Sequence, residues 1–269
     1  MRFCGLFASD HRHLKCAVAV VSQVCKTETR TRGRVGVGYY SGNEVLLMRR
    51  PVGIELNILQ MIGPASGNHV LFGVDDSPST QFRLESTPPF RFRRHLGLVS
   101  FGPVRHPEFA KRVLFHVPDY LARSARSELP GELLFLLYLS YLHDMGRIDS
   151  GSVAPTLLID AVRSTFLLIP KLLDGPAPPA AMCISNGEHL VAAAQGTDLW
   201  IRTSQGIEAC PVCSTDKPVG HPDVRMVALA HIQSSDPHPG FMPVQPGDIV
   251  AVTSEGEVLS RPMNQGRGL

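Results

Sequence analysis

"GRVGVGYYSGNEVLLMRRP", residues 33–51, is the stretch whose reading decides the fold class. Two β-rich runs, 35–40 and 44–49, flank a Ser-Gly-Asn turn, the pattern of an antiparallel hairpin. Gly36 and Gly38 sit in the first run. Glycine weakens a strand interior, so its presence there predicts a close backbone approach or a packed layer directly above.

Outward from the hairpin, residues 53–63 have helical spacing and end on glycine, which predicts a short helix. A strand is expected at 69–74, then a polar loop running to "STPPF" (86–90), then a strand at 95–101 stopped by Gly102 and Pro103. Two apolar helices follow. The first, about 128–145, opens with "SELPGELL", where Ser127, Pro130 and early glutamates are helix-start chemistry. The second, about 154–173, closes before the loop "DGPAPPAA". Beyond it short strands are expected at 181–185, 188–194, 198–202, 224–232, 247–253 and 256–260, with a frayed tail at about 264–269. On the other side, 14–25 is too densely apolar for periodicity to arbitrate and is read as a helix. This order is α+β with antiparallel hairpins, not the alternation of a doubly wound parallel sheet. No glycine-rich loop opens a helix, so nucleotide binding has no footing.

The chain has 269 residues, 43% of them hydrophobic, enough for a substantial core in a single domain spanning 1–269. With 26 basic and 24 acidic residues the formal charge is +2, so no global field draws it to nucleic acid or to an anionic membrane. Two local basic runs, 26–34 ("KTETRTRGR") and 91–95 ("RFRRH"), are accompanied by no aromatic stacking pattern and read as solvated loop charge. Residues 1–10 have no signal-peptide core, and the longest apolar run, 133–142, is too short to span a bilayer. A cytoplasmic protein without membrane or nucleic-acid partners is the expectation.

Six cysteines, at 4, 16, 25, 183, 210 and 213, in a chain without export signals are expected to be reduced. "CPVC" (210–213) alone has metal or redox spacing. A tetrahedral zinc site needs two further ligands, for which Cys183, His221 and His231 are available. Two incidental thiols in a loop is the blander reading, and no metal or cofactor is expected. Cys16 and Cys25 read as small buried hydrophobes.

"CGLFAS" at the start, the glycine-tyrosine hairpin, "STPPF", "HLGLVSFG", "AMCISNGEHLVAAAQGTDLWIR" and "PVQPGDIVAVTSEGEV" together resemble the class II glutamine amidotransferases, which are N-terminal-nucleophile hydrolases, and particularly their short bacterial members. The resemblance spans nearly the whole chain. It implies two antiparallel sheets packed face to face between helical layers, an αββα sandwich. The apolar helices at 128–145 and 154–173 would form one outer layer, and the short helices near 14–25 and 54–62 the other.

The resemblance also implies a chemistry: an N-terminal cysteine attacks the glutamine side-chain carbonyl while its own α-amino group serves as base. An asparagine and a glycine N–H stabilise the oxyanion, and an arginine and an aspartate hold the α-carboxylate and α-amino groups. Cys4 matches the nucleophile, but three residues precede it, and cleavage after Phe3 would be needed to free its amine. Gly102 matches the oxyanion glycine, with Ser100 and Phe101 where His-Asn is expected. Gly73 and Asp75 occupy the histidine-x-arginine position, which inverts the sign of carboxylate recognition. Glu132 matches the end of the threonine-aspartate-serine-glutamate motif, with the aspartate position falling on Leu129 or Pro130; Ser86 and Pro88 replace an asparagine and a histidine.

The scaffold motifs thus persist while the chemical ones are replaced. The expectation is a catalytically degenerate amidotransferase-like protein, a binding or assembly subunit with a protein partner or a small amide or amino-acid ligand, and with homo-oligomerisation open to it. A reshaped pocket would be lined by Cys4, Asp75 and Gly102. The alternative is an active amide hydrolase using Cys4 after removal of residues 1–3.

Overall fold

The computed structural model describes residues 1–22, 33–42, 44–51, 57–75, 84–104, 106–150, 152–213, 219–232 and 238–264. Within them two antiparallel sheets lie face to face between helical layers, as the α+β reading expects. The first sheet contains β1 (Arg2–Ala8), β2 (Arg34–Ser41), β3 (Glu44–Pro51), β4 (His69–Asp75), β9 (Trp200–Ile207), β10 (His221–His231) and β11 (Met242–Pro243), in the order β11-β9-β10-β1-β4-β2-β3. The second contains β5 (Phe90–Phe92), β6 (His95–Phe101), β7 (Ala180–Ser185), β8 (Leu190–Gln195), β12 (Asp248–Val252) and β13 (Val258–Pro262), in the order β13-β12-β8-β7-β6-β5.

Alternation along each strand sorts side chains into three cores. Phe3 and Phe7 of β1 meet Leu96, Leu98, Cys183 and Leu190 between the sheets. Cys4, Leu6 and Ala8, on the other face of β1, pack against Cys16, Ala17 and Val21 of α1 (Leu14–Val21) and against Ile58 and Met61. The far face of the second sheet is covered by α4 (Pro130–Asp144) and α5 (Pro155–Leu173), with α2 (Phe109–Phe115) and α3 (Asp119–Ala122) packed around α4. Helix α4 is apolar almost all round because it is enclosed on nearly every side, and residues 133–140 and 142 are buried.

Two glycines show why the sheets can approach. A Cβ at Gly36 would collide with the Pro88 carbonyl, and one at Gly5 with Cys183 Sγ. The close approach expected in the hairpin is therefore met, and Gly5 is a packing residue at the inter-sheet seam. Tyr40 ties the layers together: its hydroxyl donates to the carbonyl of Arg94 at 2.9 Å or to that of Ser185 at 3.0 Å.

Several expectations need correction. The helix expected at 53–63 is only a 3₁₀ turn, Ile58–Met61, capped by the Asn57 side chain on Leu59 N–H; residues 52–56 lie outside the described residues. Such a turn suffices to drop Ile58 and Met61 onto the sheet. Helix α1 is confirmed over Leu14–Val21, and 23–25 lies outside the described residues, as do 265–269 of the tail. The strands expected at 198–202 and 224–232 are longer, Trp200–Ile207 and His221–His231. Helices α2 and α3 and strand β5 were not expected; Pro118 and the short lengths hid the helical period.

Candidate functional site

The cleft that gathers the family-matched positions opens where β1, β2 and α4 begin and β4 and β6 end. Its volume is about 200 Å³, below the roughly 300–1,000 Å³ usual for ligand pockets. Met1, Arg34, Asp75, Ser100, Phe101 and Pro130 are among the residues that line it.

Asp75 closes β4 opposite Arg34 of β2, and the two form a buried ion pair. Arg34 donates from Nε (2.9 Å) and Nη2 (2.7 Å) to the same carboxylate oxygen, and from Nη1 to Ser86 Oγ at 3.1 Å. A guanidinium does reach the cleft, as carboxylate recognition would require, but each of its three nitrogens donates within the protein. The pair is neutral in sum, so Arg34 is not an uncompensated cation for an α-carboxylate. Sequence reasoning missed Arg34 because it sits at the end of a basic run; its pairing with Asp75 follows only from the β2–β4 register.

Cys4 does not line this cleft. It lies three residues into β1, bracketed by Phe72 of β4 and Ala230 of β10, and is 0% exposed. Its thiol donates weakly to the Gly5 carbonyl at 3.7 Å. Strand parity puts Cys4 on the α1 face, whereas Asp75, in phase with Gly73 and Leu71, belongs to the face turned toward the second sheet.

The oxyanion position is likewise occupied. Gly102 N–H donates to the Pro179 carbonyl at 2.9 Å. Phe101, where an amide donor is expected, stacks on Phe109 with centroids 5.8 Å apart and planes at 18°. Ser100 lines the cleft. Glu132 instead holds the segment that leads into α4: it accepts from Arg126 N–H at 3.0 Å and from Ser127 Oγ at 2.5 Å. Pro88 lines the cleft and presents its carbonyl to Gly36. The structure therefore brings together Asp75, Ser100 and Phe101 in the cleft lining, and leaves Cys4, Gly102 and Glu132 out of it.

Arg91 donates to the Val45 carbonyl at 2.8 Å, and Arg93 pairs with Asp149; residues 26–32 lie outside the described residues. No described helix is long and apolar enough to cross a membrane.

Of the residues weighed as partners for Cys210 and Cys213, only His221 joins them. Cys183 is in the inter-sheet core, and His231 sits at the end of β10 with Nδ1 3.0 Å from the Asp198 carbonyl oxygen. The fourth member of the cluster is Cys16 of α1, 197 residues from Cys213 in sequence.

No protein-family model and no curated protein sequence matches the chain. Solved structures do. A glutamine aminotransferase class-II domain protein from Silicibacter pomeroyi superposes with a TM-score of 0.61 at 15% identity, covering 98% of this chain and 100% of that one. A predicted glutamine amidotransferase from Pseudomonas aeruginosa gives 0.55 at 14% identity, covering 97% and 95%. Glutamine phosphoribosylpyrophosphate amidotransferase from B. subtilis gives 0.58 at 11% identity, covering 99% of this chain and 50% of that one. Sheet order, helical layers and these superpositions agree: the chain has the fold of the class II glutamine amidotransferase domain.

Proposed function

We propose that this chain is an amidotransferase-like protein that has lost glutamine hydrolysis and acts as a binding or assembly subunit. The observation that carries the reading is the placement of Cys4: buried in the middle of an interior strand and turned away from the cleft. A nucleophile there meets neither substrate nor base. The engaged Gly102 N–H and the self-paired Arg34–Asp75 couple support the same reading, since oxyanion donors and a carboxylate clamp must be available to a ligand. What remains is a packed sandwich with a small cleft in which Arg34 and Asp75 pair with each other, suited to a protein partner or to a small amide.

Ammonia release from glutamine tests this. The expected outcome is no release above background from the full chain, and no difference on Cys4→Ser. Release by the full chain that Cys4→Ser abolishes would overturn the reading in favour of an active hydrolase.

A further inference from the structure

On the α1 side of the first sheet, the face turned away from the second sheet, four ligand-type side chains converge. The ligand atoms of Cys16, Cys210, Cys213 and His221 all lie within 4.8 Å of one another. Three independent parts of the chain supply them: α1 gives Cys16, the β9–β10 connection gives Cys210 and Cys213, and the first residue of β10 gives His221.

The spacing fits one ion. With metal–sulfur bonds of about 2.3 Å and tetrahedral angles, ligand sulfurs stand about 3.8 Å apart. Cys16 Sγ and Cys213 Sγ are 3.4 Å apart, much farther than the roughly 2.05 Å of a disulfide and close to the tetrahedral edge.

The surroundings are organised as a metal site requires. The backbone N–H groups of Val212 and Cys213 both point at Cys210 Sγ, each at 3.4 Å, wrapping the Cys-x-x-Cys turn around that sulfur as an acceptor. Cys210 N–H is held by the Val219 carbonyl at 2.9 Å, which closes the loop. His221 Nε2 is buried without a hydrogen-bond partner, and its ring lies against that of His13 with centroids 4.0 Å apart. A buried imidazole nitrogen that lacks a partner is costly unless something is bound there.

We propose that Cys16, Cys210, Cys213 and His221 bind a single structural Zn²⁺. Three thiolates and an imidazole within 4.8 Å of one another select zinc among the abundant divalent ions. With four protein ligands no coordination position is open to substrate, so the ion fastens the β9–β10 connection to α1 and takes no part in a reaction. The inference does not depend on the proposed loss of glutamine hydrolysis.

The test uses the full untagged chain, purified under reducing conditions, with metal content measured by elemental analysis and native mass. The expected result is about one zinc per chain. Replacing zinc with Co²⁺ in the unmutated protein should give thiolate-to-cobalt charge-transfer absorption and the intense visible bands of a tetrahedral centre. Cys213→Ser and His221→Ala should each lower zinc affinity by at least about tenfold in a chelator competition, while Cys183→Ala retains it. The proposal is overturned if the reduced chain neither carries zinc nor binds it at micromolar concentration, if cobalt gives only the weak spectrum of an octahedral site, or if a Cys16–Cys213 disulfide forms in place of metal. Equal loss of zinc from Cys183→Ala would also overturn it.

Discussion

Cys4 and Asp75 lie on opposite faces of one sheet. Cys4 pairs with Phe72 and shares its face with Val74, while Asp75 follows the phase of Gly73 toward the facing sheet, where Arg34 holds it. A sequence match can set both residues at motif positions, but the two-residue period of a strand keeps them apart. Cys4 is therefore a core residue, and Asp75 is half of an ion pair.

Replacing Cys4 should be felt as stability. Cys4→Ser puts a hydroxyl into a site with no exposure and should destabilise the protein by about 1–3 kcal/mol. Cys4→Ala, which adds no polar group, is expected to cost less than Cys4→Ser. Denaturant midpoints of the two variants check the order.

Removing one partner of the Arg34–Asp75 couple leaves a charge buried without its partner. Arg34→Met or Asp75→Asn alone should cost about 3–5 kcal/mol. The double variant Arg34→Met/Asp75→Leu should cost less than the sum of its single changes, because neither charge remains. A double-mutant cycle on unfolding free energy reads the coupling directly.

Acid should weaken the fold in a defined window. Burial lowers the pKa of His69 and of His95 from 6.5 to about 4, and His231 shifts in the same direction for the same reason. In the unfolded chain the imidazoles of His69 and His95 take up protons below pH about 6.5, while the folded protein keeps these two neutral down to about 4. Stability contributed by each is thus complete above pH about 6.5 and is lost as pH falls toward 4, by roughly 3 kcal/mol for each of His69 and His95. Thermal midpoints between pH 7 and 4 should fall steeply, and His95→Gln should flatten the slope.

Gly36 has no room for a side chain. Gly36→Ala should cost at least about 1–3 kcal/mol, because the obstacle is the Pro88 carbonyl, which belongs to the backbone and cannot rotate away. A normal midpoint for this variant would contradict the packed seam between β2 and the 86–90 segment.

Much of the scaffold was legible in the sequence because pattern and structure share a cause. The 33–51 hairpin, the strand at 95–101 and the two long apolar helices carry strong local signals, and they appear close to their expected bounds. The short α2 and α3 have too few turns for a period to show, and the 3₁₀ turn at Ile58–Met61 imitates one. The site was less legible. Arg34 reads as one cation in a basic run, and Cys16 as one apolar position in α1; each acquires its partners only through non-local pairing, across 41 residues to Asp75 and 197 residues to Cys213.

The most direct measurement is the intact mass of the full chain after incubation with a glutamine analogue that alkylates N-terminal cysteine nucleophiles. A buried, mid-strand Cys4 predicts an unmodified mass with Met1, Arg2 and Phe3 still attached or only Met1 removed. A stoichiometric adduct mapped to Cys4 as the first residue would contradict the account.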